Sequence, residues 1–138
     1  MATGTSRKIF VNLPVRDLAR SVEFFTKLGF AFDKRFTDDK ASMMIVSEEA
    51  YVMLLVQDRF KDFARKPISD GKSTEAIFAL STSGRAEVDH LVKTAIAAGG
   101  THAAEPLDHG FMYGWSFYDL DGHHWEVLYM EPSAIPPQ

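Results

Sequence analysis

Twice along the chain a β-rich stretch runs into an amphipathic helix that stops at a glycine. Each time, further extended stretches follow. "KIFVNLPV" (8–15) is rich in β-branched and apolar residues and ends at a proline, so it reads as a strand. In "RDLARSVEFFTKLGF", Asp17 can cap a helix, Leu18, Val22, Phe25 and Leu28 recur at helical spacing, and Gly29 is a terminator. The spacing predicts a helix over about 17–28. Strands are predicted over about 30–37, 42–47 and 51–56, parted by "TDDK" and "SEE". "DRFKDFARK" (58–66) predicts a short helix with Phe60, Phe63 and Ala64 on one face.

A polar linker, "KPISDGKS" (66–73), then resets the pattern. "TEAIFALST" (74–82) reads as a strand. "RAEVDHLVKTAIAAGG" (85–100) reads as a helix with Val88, Leu91, Ala95 and Ile96 inward and Gly99–Gly100 as the stop. Strands are predicted near 101–105, 111–118 and 123–130. The order is therefore βαβββ, linker, βαβββ. Ile9–Phe10 is echoed by Ile77–Phe78, and Gly29 by Gly99, as in a half-chain duplication. Dominant strands with each helix on one face of its sheet make the class α+β. A chain of 138 residues that is 46% hydrophobic supports one domain, with module one about 8–66 and module two about 74–132.

Composition removes several kinds of chemistry. A formal charge of −4 argues against nucleic acid as a partner. The absence of cysteine removes disulfides, thiolate metal sites and thiol nucleophiles, and suits a reducing compartment. "MATGTSRKIF" carries no apolar signal core, and the longest apolar run, "AYVMLLV" (50–56), is too short to span a bilayer. The expectation is a cytoplasmic protein with no membrane partner. There is no GxSxG elbow, P-loop, HExxH helix or heptad run, and "KDFARK" reads as a solvated helix face.

The chemistry gathers near the end, in "DLDGHHWEVLYM" (119–130). Glu126 stands between Trp125 and Val127, where burial is expected, and an unpaired buried carboxylate costs several kcal/mol. Strand alternation puts His124 on the face of Glu126, about 7 Å along, with His123, Trp125, Val127 and Tyr129 opposite. A His–Glu pair can be half of a metal site or a proton relay, whereas a turn-end histidine is ordinarily exposed. His90 reads as a helix-surface residue and His102 as a strand-edge residue; His109 lies in the Gly-bounded "LDHGFMYGW". Phe10, Phe78, Phe111, Tyr113, Trp115, Phe117, Tyr118 and Trp125 sit in strands, where most such rings are core.

"IFVNLPVRDLARSVEFFTKLGF" followed by "YGWSFYDLDGHHWEVLYM" resembles the vicinal oxygen chelate superfamily of glyoxalase I, bleomycin resistance proteins and extradiol dioxygenases. Within it the chain resembles a subgroup of bacterial proteins described as predicted lactoylglutathione lyases. The resemblance covers about 8–132 and implies two βαβββ modules forming a curved mixed sheet around a cavity. It also implies a divalent metal held by four side chains, and homodimers. Carried over by motif, the four ligand positions fall on Phe10, near Leu54, on Ile77 and on Glu126. Phenylalanine, leucine and isoleucine cannot donate, while a catalytic metal needs about three N or O ligands.

No cofactor is therefore expected and a divalent metal is disfavoured, the alternative pair being Glu126 with His124. A site assembled from His102, His109, His124 and Glu126 is a further alternative. The expected function is binding of an aromatic or hydrophobic small molecule in an apolar aromatic cavity. Its candidate residues are Phe10, Asn12, Leu54, Ile77, His109, Tyr113, Trp115, His124 and Glu126, with Glu126 the candidate catalytic group. Where related sequences often carry arginine in "YGRSF", this chain has Trp115, which, if it faces inward, moves preference from anionic toward aromatic or cationic ligands. A glyoxalase-like lyase or an extradiol-type dioxygenase rests on the resemblance alone. The third reading is a module whose cavity is filled by Phe10 and Trp115.

Overall fold

The computed structural model describes residues 6–134; residues 1–5 and the end of the proline-rich tail, 135–138, lie outside the described part. The chain divides between Asp70 and Gly71, inside the polar linker, into two compact units. The first holds β1 (Ile9–Val15), α1 (Leu18–Lys27), β2 (Ala31–Asp33), β3 (Ala41–Ile45), β4 (Ala50–Val56) and α2 (Gln57–Phe63). The second holds β5 (Ile77–Ser81), α3 (Arg85–Ala97), β6 (Thr101–His102), β7 (Leu107–Asp108), β8 (Met112–Tyr118) and β9 (His124–Met130). The class is α+β, with mixed sheets.

In the first unit the strand order is β1-β4-β3-β2, with β1 and β4 parallel and the other pairs antiparallel. Helix α1 begins where Asp17 accepts the Arg20 amide at 3.1 Å, and it ends against Gly29 at φ +102°. Its Phe24 and Phe25 pack edge to face at 5.0 Å. They are buried together with Leu13, Val15, Met44, Val52 and Leu54. The strand expected over 30–37 stops at Asp33, and Lys34–Phe36 forms a single 3-10 turn. Asp33 causes the break. Its carboxylate accepts the Arg35 amide at 3.0 Å and grips the Arg35 guanidinium at 2.8 and 3.1 Å, which holds its pKa below the ordinary value.

The second unit repeats the topology as β5-β9-β8-β6, with β5 and β9 parallel. A short strand, β7, pairs with β8 and interrupts the expected simple return. It is held by Arg85, which grips Asp108 at 2.8 and 3.0 Å, donates to the Gly110 carbonyl at 2.9 Å, and lies over the Tyr113 ring. Helix α3 buries Val88, Val92 and Ala95, whereas the expected Ile96 is exposed and Leu91 half-buried. The 3.6-residue period places Val92 and Ala95 on the stripe of Val88, and Ile96 falls off its edge. In α2, Phe63 likewise points to solvent. No helix among the described residues is long and apolar enough to cross a membrane.

Candidate functional site

Two parallel strand pairs put the two units into common register. In the first unit Phe10 stands beside Tyr51, Asn12 beside Met53 and Leu13 beside Leu54. In the second, Ile77 stands beside His124, Ala79 beside Glu126 and Leu80 beside Val127. Phe10 therefore corresponds to Ile77, and the counterpart of Glu126 is Met53. Leu54 corresponds to Val127. Both are 0% exposed, on the helix-covered face of their sheets. The expected position near Leu54 is thus corrected by one residue. The Ile–Phe echo is likewise one residue out of register. Phe10 is 49% exposed on the face away from α1, whereas Phe78 turns under the sheet onto Trp125 at 5.2 Å.

Glu126 lies on the face of its sheet away from α3, opposite Ser116 on β8. Trp125, Val127 and Phe117 fill the other face beneath the helix. The expected burial of Glu126 fails for that reason. Its side chain is 39% exposed, because its own face carries no helix in this unit. It opens into a hollow of about 280 Å³ lined by Leu107, Met112, Trp115, Ser116 and Leu128, with Glu105 at the rim. The alternation in β9 is as expected, and Glu126 shares its face with His124. His124, however, is only 16% exposed, against the expectation of a solvated turn-end residue. Its Nε2 is buried without a hydrogen-bond partner, 3.7 Å from Glu126 Oε1, and its ring meets Tyr118 edge-on at 5.4 Å. An unsatisfied buried ring nitrogen costs about 1–3 kcal/mol.

The other candidates fall in several places. Tyr113 is opposite Tyr129 on the α3 face, and its hydroxyl donates to Asp89, which pushes its pKa up to about 12. Trp115 is opposite Val127 rather than Glu126, yet it reaches the rim of the hollow, where its indole donates to the Ala104 carbonyl at 2.9 Å. His109 is exposed and stacks on Phe111 at 6.4 Å. His90 is exposed, and His102 lies 3.4 Å from Glu105. Asn12 is exposed on β1, and its amide donates to the Phe10 carbonyl. Ile77 is 55% exposed beside His124.

The first unit has its own hollow, about 390 Å³, on the face of Phe10. Phe10 stacks on Tyr51 at 5.2 Å and 13°, with Phe36, Met43 and Met53 as further walls and Lys8 above the Tyr51 ring. Sequence reasoning missed Tyr51, Phe36 and Met43, although period-two alternation from Phe10's partner strand would have found the first. It also missed a buried polar network at the head of β9. Asp119 accepts from the Asp121 and His123 amides and from Trp125 Nε1 at 2.9–3.0 Å, while His123 Nδ1 lies 2.6 Å from Glu75 Oε1. Burial raises the pKa of Asp119, against the opposing pull of His123. The Asp in "DLDG" signals such a turn; Glu75 is too far away in sequence to have been found.

The register decides how well a metal fits. The four positions implied by the resemblance hold Phe10, Met53, Ile77 and Glu126. Taken together, those four side chains supply one carboxylate and one thioether, short of the ligand set a hard divalent ion requires. Among the described residues no three His, Cys, Asp or Glu side chains converge as a metal group.

Two units of one topology, each with a parallel first and last strand and a hollow on the face away from its long helix, define a paired βαβββ protein of the α+β class. The chain belongs to the Glyoxalase/Bleomycin resistance protein/Dioxygenase superfamily, whose profile matches residues 9–127. No curated protein matches it significantly in sequence. Among solved structures it is similar to the hypothetical protein SA1046 from S. aureus, at 29% identity and TM-score 0.78 over 91% of this chain and 95% of that one. A glyoxalase-related enzyme from Fulvimarina pelagi shares the fold at 17% identity and TM-score 0.77, over 91% and 88% of the two chains. The fosfomycin resistance protein FosX from Mesorhizobium loti shares it at 15% and 0.65, over 96% and 97%.

Proposed function

We propose that this member of the superfamily binds a small aromatic or hydrophobic molecule without a divalent metal. The observation that carries the reading is the aligned register, which puts Phe10, Met53 and Ile77 where donors would stand and leaves Glu126 alone. Each unit also keeps an apolar hollow open, which supports binding over a filled module. We further propose that the protein works as a homodimer, since half-exposed Ile9, Phe10 and Ile77 lie on edge strands that association would cover.

Metal analysis of protein purified without chelator tests the central reading. Sub-stoichiometric nickel, zinc, iron and manganese is expected. A stoichiometric ion would overturn the reading in favour of a lyase or dioxygenase built on Glu126 and His124. A thermal-shift screen of aromatic compounds supplies the positive arm, because a ligand of the folded state raises its apparent stability. The Trp115→Ala and Glu126→Ala variants are expected to lose part of any such shift.

A further inference from the structure

We infer that the hollow beside Glu126 receives the protonated amine of a small aromatic ligand, and that His124 is the positioning residue for the carboxylate. This rests on the metal-independent binding reading and names its ligand class. The charged groups lining the hollow are two carboxylates, Glu126 and Glu105. Among the described residues no lysine or arginine lies within ion-pair distance of Glu126, and its nearest basic group is His124 Nε2 at 3.7 Å. An anionic ligand would meet repulsion, and a neutral one would gain nothing from the Glu126 charge. An ammonium group forms a charge-assisted hydrogen bond instead.

The walls complete the selection. Leu107, Met112 and Leu128 are apolar, and Trp115, which adjoins them, has committed its N–H to the Ala104 carbonyl and adds no free donor. At about 280 Å³ the hollow is at the small end of ligand cavities, the size for one or two rings. His124 explains the aim of the carboxylate. Its ring is pinned edge-on by Tyr118, and its buried Nε2 lacks a partner. A small rotation of Glu126 closes the 3.7 Å gap onto Nε2–H and leaves the second carboxylate oxygen for the ligand.

The test is a set of matched pairs titrated into isotope-labelled protein and followed by amide NMR shifts: benzylamine, phenethylamine and tryptamine, each against benzyl alcohol, 2-phenylethanol and tryptophol. Each amine is expected to bind about tenfold tighter than its alcohol, with shifts centred on Gly114, Ser116 and Glu126. Glu126→Gln is expected to erase that preference, weakening the amines about tenfold more than the alcohols. His124→Leu is expected to reduce it, and His124→Gln, which keeps a donor, to restore it. If the alcohols bind as tightly as the amines, or Glu126→Gln keeps the preference, the inference fails and the binding reading stands. If neither class binds, both fail.

Discussion

The one-residue difference between Met53 and Leu54 makes a sharp prediction about two neighbouring substitutions to the same residue. Leu54 is 0% exposed, in register with Leu13 and on the face that packs Phe24 and Phe25. Leu54→Glu forfeits about 2–3 kcal/mol of side-chain burial. It also forces a carboxylate into an apolar layer, at several kcal/mol more. The sum, about 5 kcal/mol or above, matches the whole stability of many domains. Met53 is half-buried on the opposite face, in the hollow that also holds Lys8 and Arg35. There a glutamate keeps water and stands near Lys8 and the Asp33–Arg35 pair, so Met53→Glu is expected to cost about 1 kcal/mol or less. Urea titration followed by far-UV circular dichroism is the assay, because both tryptophans lie in the second unit and would report on the wrong half. Leu54→Glu should be unfolded or shifted to a far lower midpoint, with Met53→Glu near the parent. Equal damage from the two, or the reverse order, would refute the register and with it the correspondence of Met53 to Glu126.

Asp108 is held at a pKa of about 2, chiefly by the Arg85 guanidinium, against an ordinary value of 3.8. Because the folded value is depressed, the stabilisation is complete above pH 3.8 and fades as pH falls through about 2. Carboxyl NMR should show this midpoint, and Arg85→Ala should return it toward the ordinary range. Tyr113, raised to about 12 by its bond to Asp89, favours the folded state below pH 10 and loses that contribution as pH climbs toward 12. Spectrophotometric titration of Asp89→Asn should show one tyrosine ionising at lower pH. Trp125→Phe removes the indole donor from buried Asp119 and is expected to cost about 1–3 kcal/mol in urea, read by circular dichroism. Analytical ultracentrifugation should find a dimer, with Ile9→Lys and Ile77→Lys shifting it toward monomer.

Element types were legible where one residue kind carried one message. Asp17, the Leu18–Val22–Phe25 stripe and Gly29 define α1 almost to the residue. The weak ends were those decided by side chains reaching back to the backbone, such as Asp33, which halts β2. The outward turn of Ile96 follows from its place at the edge of the Val88–Val92–Ala95 stripe, which only the buried set of α3 defines. The Asp119–His123–Glu75 group, buried except at Glu75, needs a partner 48 residues from His123, and no local pattern contains it.

Strand facing explains the remaining misreading, and it bears on function. β9 alternates polar and apolar side chains, so the face of Glu126 could be read from Trp125 and Val127. β4 reads "AYVMLLV", apolar on both faces, and a run without alternation carries no parity. Only the pairing with β1 supplies it. That same run is apolar on its outer face because Tyr51 and Met53 wall a hollow there. The second unit keeps one acid at the matching place, and the first has none. A pair of duplicated sheets has thereby become chemically unequal. One hollow offers stacked rings beside Lys8 and the Asp33–Arg35 pair, the other the two carboxylates Glu105 and Glu126 among apolar walls. The charge of the lining side chains is a property by which these two hollows differ, and it is the variable on which binding experiments should be built.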